Sequence, residues 1–268
     1  MHSIHGRAPA IATGLATTRP DQSVWVVTGD GDAMSIGGNH LIHTLRRNVN
    51  LNILMFNNRI YGLTKGQYSP TSEPGKVTKS SPMGSLDFPF NTLSLAIGAQ
   101  GTFVARALDS DRKGLTEVLE AAARHRGTSF VEILQDCPIF NDGSFDLLRK
   151  EDAGDHLITV RHGEKIVFGD DGQHCVVRSG FSLAVAATAE VDQADIVVHD
   201  AHAEDPTYAH ALANLSSQDL QYTVTGIIRQ VRRETYDDQA RAQVATAKQT
   251  APSDLQALLD GGNTWTVG

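Results

Sequence analysis

Two hydrophobic rhythms alternate along the first half of the chain: short continuous apolar runs, and longer stretches with apolar residues three and four positions apart. Val24-Trp25-Val26-Val27-Thr28 is an apolar, β-branched run that stops at Gly29-Asp30-Gly31-Asp32, which predicts a buried strand feeding a tight turn. After Gly37-Gly38, the segment from Asn39 to Arg47 sets Leu41, Ile42 and Leu45 on one side at helical spacing, and Leu51 to Phe56 is a second apolar strand. This is a βαβ unit. Further elements follow in the same alternation: a helix from Thr92 to Ala99, a strand from Thr102 to Arg106, a helix from Gly114 to His125 and a strand from Phe130 to Leu134. The pattern predicts an α/β fold, a doubly wound, mostly parallel sheet with helices on both faces.

Past Asn141-Asp142-Gly143 the texture changes. His156 to Val160 and Lys165 to Phe168 flank His162-Gly163-Glu164 in the manner of a small hairpin. A strand from Ile196 to His199, a helix from Thr207 to Leu215, a strand from Thr223 to Ile228 and polar helices over Asp238 to Lys248 and Asp254 to Leu259 complete the remainder. A boundary near Lys150 divides the chain into a domain over 1–150 and a smaller α+β extension over 151–268. The 28 residues from Tyr61 to Phe88, rich in Gly, Pro, Ser, Thr and Lys, read as one long loop. A loop of that length in a compact domain is functional or disordered.

Composition narrows the classes. With 268 residues, 40% hydrophobic and 20% charged, the chain has the makings of a globular core and not of a disordered or fibrous protein. Its formal charge of −8 repels a phosphate backbone, so nucleic-acid binding is not expected as its main task. No apolar stretch approaches the roughly 20 residues that span a bilayer. The N-terminus lacks the regions of a signal peptide, and two cysteines make no disulfide framework, so a cytosolic compartment is expected.

The candidate chemistry sits at two strand ends. Gly29-Asp30-Gly31 ends one strand and Asn57-Asn58 the next, with 25 residues between Gly31 and Asn57, enough for one helical crossover. A right-handed crossover puts both ends on one edge of the sheet, in the crevice where open α/β sheets bind ligands. Asp30 and Asn58 can converge there, and a carboxylate, an amide oxygen and a backbone carbonyl are hard ligands suited to Mg²⁺ held jointly with phosphate oxygens. The glycines admit phosphates to the backbone N–H groups, with the start of a helix behind them. Taken alone, Gly-Asp-Gly is also an ordinary tight turn. The GxGxxG fingerprint is incomplete here, and no GK[ST] occurs.

The spaced GDG and NN pair resembles the signature of thiamine-diphosphate enzymes, and with it the thiamine-diphosphate-binding fold. His5-Gly6-Arg7-Ala8, Gly29 to Asp32, Ile36-Gly37, Arg46-Arg47-Asn48, Asn57-Asn58, Tyr61 to Gln67 and Cys137-Pro138 together resemble the β subunit of 2-oxoacid:ferredoxin oxidoreductases, particularly the 2-oxoglutarate type. The resemblance runs from about Ser3 to Asp142. It implies that Asp30, Asn58 and the Ile60 carbonyl hold Mg²⁺, and that Gly31 and Asp32 lie against the diphosphate of thiamine diphosphate. It also implies that His5 contacts the cofactor ahead of a helix from Ala8 to Ala16, and that Gly62, Leu63 and Lys65 sit near the thiazolium and the substrate carboxylate. A helix-start histidine bonded to backbone and a solvated loop lysine are the plain alternatives for His5 and Lys65.

In that family a [4Fe–4S] cluster is held by four cysteine thiolates, three near the N-terminus and one in a Cys-Pro after a strand, which Cys137-Pro138 matches. Only Cys137 and Cys175 are present, so this chain cannot complete such a cluster alone. Cys137 is expected as an orphan ligand, Cys175 as a buried apolar residue, and the family's N-terminal segment as missing. The function implied is oxidative decarboxylation of a 2-oxoacid, with 2-oxoglutarate favoured, to an acyl-CoA while electrons pass to ferredoxin. The implied partners are an α subunit, ferredoxin and coenzyme A, with neither nucleic acid nor membrane. Two other readings stand beside it: a non-redox thiamine-diphosphate decarboxylase or synthase, and a catalytically incomplete subunit that folds and docks with an α chain.

Overall fold

The computed structural model describes residues 2–150, 153–250, 254–262, 265 and 267. Helix α1 (Ala8–Thr18) carries Pro9 in its first turn, where a missing N–H costs nothing. Strand β1 (Trp25–Gly29) runs directly into the five-residue helix α2 (Asp30–Met34). The Gly-Asp-Gly segment, expected as a tight turn, is therefore the opening of a short helix, with Gly29 as its extended N-terminal cap at φ −96° and ψ 163°. Helix α3 (Gly38–Arg47) and strand β2 (Leu51–Asn57) complete the βαβ unit. Beyond the long loop come α4 (Thr92–Gly98), β3 (Phe103–Leu108), α5 (Arg112–Arg124) and β4 (Thr128–Leu134). The carboxylate or amide oxygens of Asn91 and Asp111 cap α4 and α5, accepting from the N–H groups of Ser94 and Gly114 at 3.0 Å each.

The C-terminal part supplies β5 (Leu157–Val160), β6 (Val167–Phe168), β7 (His174–Ser179), β8 (Ser182–Ala187), α6 (Thr207–Ala213), β9 (Thr223–Gln230), α7 (Tyr236–Thr250) and α8 (Leu255–Asp260). A six-stranded sheet has the order β1-β2-β4-β3-β9-β5, parallel throughout except where β9 runs against β3. The sheet thus continues across Lys150, because β9 and β5 bond onto the edge that β3 leaves open. A second sheet joins β6, β7 and β8.

Alternate residues on each strand divide between two cores. Val26, Ile53, Met55, Val104 and Phe130 pack with α1, α3, α4 and α6 on one face, and Phe103, Ala105, Val131 and Ile133 meet Val118 and Ala122 of α5 on the other. One expectation is corrected at the edge. β1 is buried on one face only, since α5 lies over β3 and β4, and Val27 is 66% exposed. A second correction concerns the hairpin expected around His162-Gly163-Glu164. β5 pairs with β9 and β6 with β7, because Ile158 and Val160 belong to the main core whereas β6 turns into the small sheet. Ile196 to His199 forms only single bridges, Ile196 to Val177 and Val198 to Lys165, and not a named strand. β7 and β8, not anticipated from the sequence, turn on Gly180 at φ +61°.

Candidate functional site

Register places the two sequence motifs side by side. Gly29 pairs with Phe56, so Asp30 and Asn57 leave the sheet at neighbouring positions on its carboxyl edge. Asp30 is 2% exposed, and its Oδ2 accepts hydrogen bonds from the hydroxyls of Ser69 at 2.5 Å and Thr71 at 2.6 Å. Burial pushes this carboxyl above its ordinary range, against the hydroxyl donors that hold it down. No basic side chain pairs with it among the described residues. A buried carboxylate with hydroxyl donors and no cation is a donor set that fits a hard metal ion.

Thr71 also donates to Asn57 Oδ1, at 2.9 Å, so the structure joins Asp30 to Asn57 through one hydroxyl. Asn58, the sequence candidate, is half-buried one residue further on. Its Oδ1 accepts from the Ile60 N–H at 3.3 Å, and its Nδ2 reaches Gln135 Oε1 at 3.5 Å. Ile60 is buried, and its carbonyl accepts no hydrogen bond among the described residues. The amide of Asn141 donates to the Asn58 carbonyl at 2.9 Å, and Lys76 Nζ donates to Asn141 Oδ1. The turn is thereby pinned both to the long loop and to the segment beyond Cys137.

Gly31 is required by contact. A Cβ there would stand 2.3 Å from the Tyr61 ring, whose hydroxyl donates to the Gly31 carbonyl at 2.7 Å. Gly6 is required for the same reason and by its φ of +73°, since a Cβ would meet the Gly37 nitrogen at 2.6 Å. Its N–H donates to Asp32 Oδ1 at 2.7 Å, Thr28 donates to Asp32 Oδ2 at 2.8 Å, and His5 Nδ1 lies 3.4 Å from the same carboxylate. The Asp32 side chain therefore faces the His-Gly-Arg segment, and His5 stays largely exposed beside it.

Gly62, Leu63 and Lys65 occupy a tight loop closed by the bridge between Tyr61 and Gln67. Leu63 is 96% exposed, Lys65 is exposed with a left-handed backbone at φ +71°, and Gly62 lies against Phe140. Neither Leu63 nor Lys65 is brought to the Asp30 carboxylate by any described contact. Cys137 is a half-buried free thiol past β4, and Cys175 is free and fully buried in β7. No cluster of three or more His, Cys, Asp or Glu able to hold a metal occurs among the described residues. Ser69, Thr71 and Asn141 were not singled out in the sequence, and Asn57 and Tyr61 were quoted within motifs without a role of their own. Their signal, hydroxyl and amide side chains within or flanking a polar loop, does not separate them from neighbours that face solvent.

Deeper in the same edge, Glu132 is 1% exposed and accepts from Asn57 Nδ2 at 2.7 Å and from Arg106 Nε at 2.6 Å. Burial alone would raise its carboxyl, but the Arg106 charge and hydrogen bonds from Thr92, Asn57 and Arg106 hold it below the usual range.

Fold and site together define a thiamine-pyrophosphate-binding domain, and residues 1–133 match the family described as "Thiamine pyrophosphate enzyme, C-terminal TPP binding domain". The chain is 71% identical over 270 aligned positions to the 2-oxoglutarate oxidoreductase subunit KorB of Mycobacterium tuberculosis, spanning all of this chain and 72% of that protein. It is 44% identical over 138 positions, 52% of either chain, to the 2-oxoglutarate synthase subunit KorB of Archaeoglobus fulgidus. A solved structure of 2-oxoglutarate:ferredoxin oxidoreductase from Magnetococcus marinus, with 2-oxoglutarate, coenzyme A and succinyl-CoA bound, superposes with a TM-score of 0.74. That match has 30% identity and covers 98% of this chain and 76% of the other. The chain belongs to the KorB family of 2-oxoacid:ferredoxin oxidoreductase β subunits. None of the helices among its described residues is long and apolar enough to cross a membrane.

Proposed function

We propose that this chain is the β subunit of a cytosolic 2-oxoglutarate:ferredoxin oxidoreductase, working in a heteromer with an α subunit. The heteromer would convert 2-oxoglutarate and coenzyme A to succinyl-CoA and pass the electrons to ferredoxin. The observation that carries the reading is the Asp30 carboxylate, buried without a cationic partner among the described residues at the sheet edge beside Asn57-Asn58, in a chain 71% identical to KorB over the whole of this chain.

Asp30, Asn58 and the Ile60 carbonyl would hold Mg²⁺, with Ser69 and Thr71 fixing the carboxylate in place. Gly31, whose missing side chain lets the Tyr61 ring close on the motif, and Asp32 would lie against the diphosphate, and Asp32, through Gly6 and His5, fixes the approach of the His-Gly-Arg segment. His5 would contact the cofactor from that segment. Gly62, Leu63 and Lys65 would face the thiazolium and the substrate, where the lysine charge attracts a dianionic 2-oxoacid. Thiamine diphosphate, when bound, supplies the electron sink for loss of carbon dioxide. Cys137 would give one thiolate to a [4Fe–4S] cluster, and Cys175, sealed in β7, would give none.

The test is viologen reduction by the heteromer containing this chain, with coenzyme A and either 2-oxoglutarate or pyruvate. The reading expects reduction with 2-oxoglutarate, little with pyruvate, and none with this chain alone. Equal rates with the two acids would remove the substrate assignment, and full turnover by the isolated chain would remove the heteromer.

A further inference from the structure

Arg59 follows the Asn57-Asn58 pair with a left-handed backbone, φ +56°, which few residues other than glycine adopt. The turn directs a long cationic side chain inward. Its guanidinium carbon lies 5.1 Å from the centre of the Phe145 ring, and no carboxylate, carbonyl or hydroxyl accepts a hydrogen bond from it among the described residues. Its neighbour Arg106 is placed quite differently, with Nε on Glu132 and Nη1 on Ser216 at 2.8 Å. Burial pulls the Arg59 guanidinium below its usual range; Glu73 acts against that, Arg106 adds to it, and Glu132 and Asp30 act against it from further off.

Arg59, Arg106, Glu132, Asn57, Thr92 and Thr223 line a cavity of about 40 Å³. Thr92 and Thr223 are each 1% exposed; the Thr92 hydroxyl turns to the Glu132 carboxylate, whereas that of Thr223 is buried without a hydrogen-bond partner among the described residues. One hydroxyl and one guanidinium thus line the same small cavity, and among the described residues neither donates to an acceptor. Buried donors left unpaired are costly and uncommon in folded proteins. The one carboxylate on the wall, Glu132, has its oxygens committed to Asn57 and Arg106. Two arginines and one glutamate leave the cavity with a net charge of one positive unit.

We propose that this cavity binds a single small monovalent anionic group, a halide or a carboxylate head, held by the Arg59 guanidinium and the Thr223 hydroxyl. The charge of the wall matches one negative unit. The volume, close to that of one or two waters, admits chloride or a formate-sized group and excludes a sugar acid. This site is separate from the Asp30 carboxylate, from which Thr71 and Asn57 divide it.

The experiment is thermal unfolding of the full 268-residue chain in potassium chloride, potassium formate and potassium gluconate at one ionic strength, for wild type, Arg59→Leu and Thr223→Val. Chloride, formate or both should raise the midpoint saturably over gluconate, on the order of 2–4 °C. The increment should vanish in Arg59→Leu, and Thr223→Val, which keeps the guanidinium and the volume, should need about tenfold more salt to reach it. A response to chloride alone assigns a halide, and one to formate alone a carboxylate head. Equal midpoints in all three salts would overturn the proposal, as would an increment that survives unchanged in both variants.

Discussion

Single side chains at the sheet edge are set by contact distance. Because a Cβ on Gly31 would stand 2.3 Å from the Tyr61 ring, Gly31→Ala is expected to cost about 1–3 kcal/mol, with part of the loss restored by adding Tyr61→Ala. Urea unfolding of the two variants measures this. Thr71→Val removes the hydroxyl shared by Asp30 and Asn57 while keeping the volume. It should weaken Mg²⁺-dependent thiamine diphosphate binding about tenfold, read by calorimetry, with the circular dichroism unchanged. At this scale the sequence was partly legible: Asp30 and the glycines stood out through a spaced motif. Thr71, Ser69 and Asn141 did not, because their roles depend on a 28-residue loop folding back over the edge, and polar loop residues carry no periodicity.

Elements are held by buried polar groups as much as by apolar faces. The Arg106–Glu132 pair joins β3 to β4 inside the sheet, and Arg106 also reaches Ser216 ahead of β9. Arg106→Leu, which strands the Glu132 charge, should cost about 3–5 kcal/mol in urea unfolding. His125, just past α5, donates from Nε2 to the Thr102 hydroxyl at 2.9 Å, since that hydroxyl spends its own proton on Asn48. Burial lowers the histidine from 6.5 to about 4. The unfolded chain therefore takes up this proton near pH 6.5 and the folded chain only near pH 4, so stability present above pH 6.5 is lost progressively down to about 4. His125→Gln should flatten that window, seen as a smaller difference between urea midpoints at pH 7 and pH 5. Apart from the short α2, the strands and helices up to Leu134 were legible because the strands are short continuous apolar runs and the helices repeat their apolar residues three and four positions apart. The pairing of β5 with β9, more than sixty residues apart, was not, since a sequence pattern reports a strand's buried face and not its neighbour.

For the whole molecule, the sheet is continuous through residues on both sides of Lys150. Residues 1–150 alone would lose β9 and β5, exposing the edge of β3 and stripping Arg106 of Ser216 and the Val224 carbonyl. That fragment is expected to be insoluble or to melt well below the full chain, in a thermal scan of both. The texture change near Lys150 was visible in the sequence, but the return of the chain to the same sheet leaves no local mark. The proposed thiamine diphosphate site is metal-dependent and centred on Asp30. Its most direct test is calorimetric titration of the full chain with thiamine diphosphate in Mg²⁺, beside Asp30→Ala and an EDTA control. Binding should disappear with either change; equal affinity in Asp30→Ala or in EDTA, or no binding by the wild-type chain, would overturn the assignment of this site.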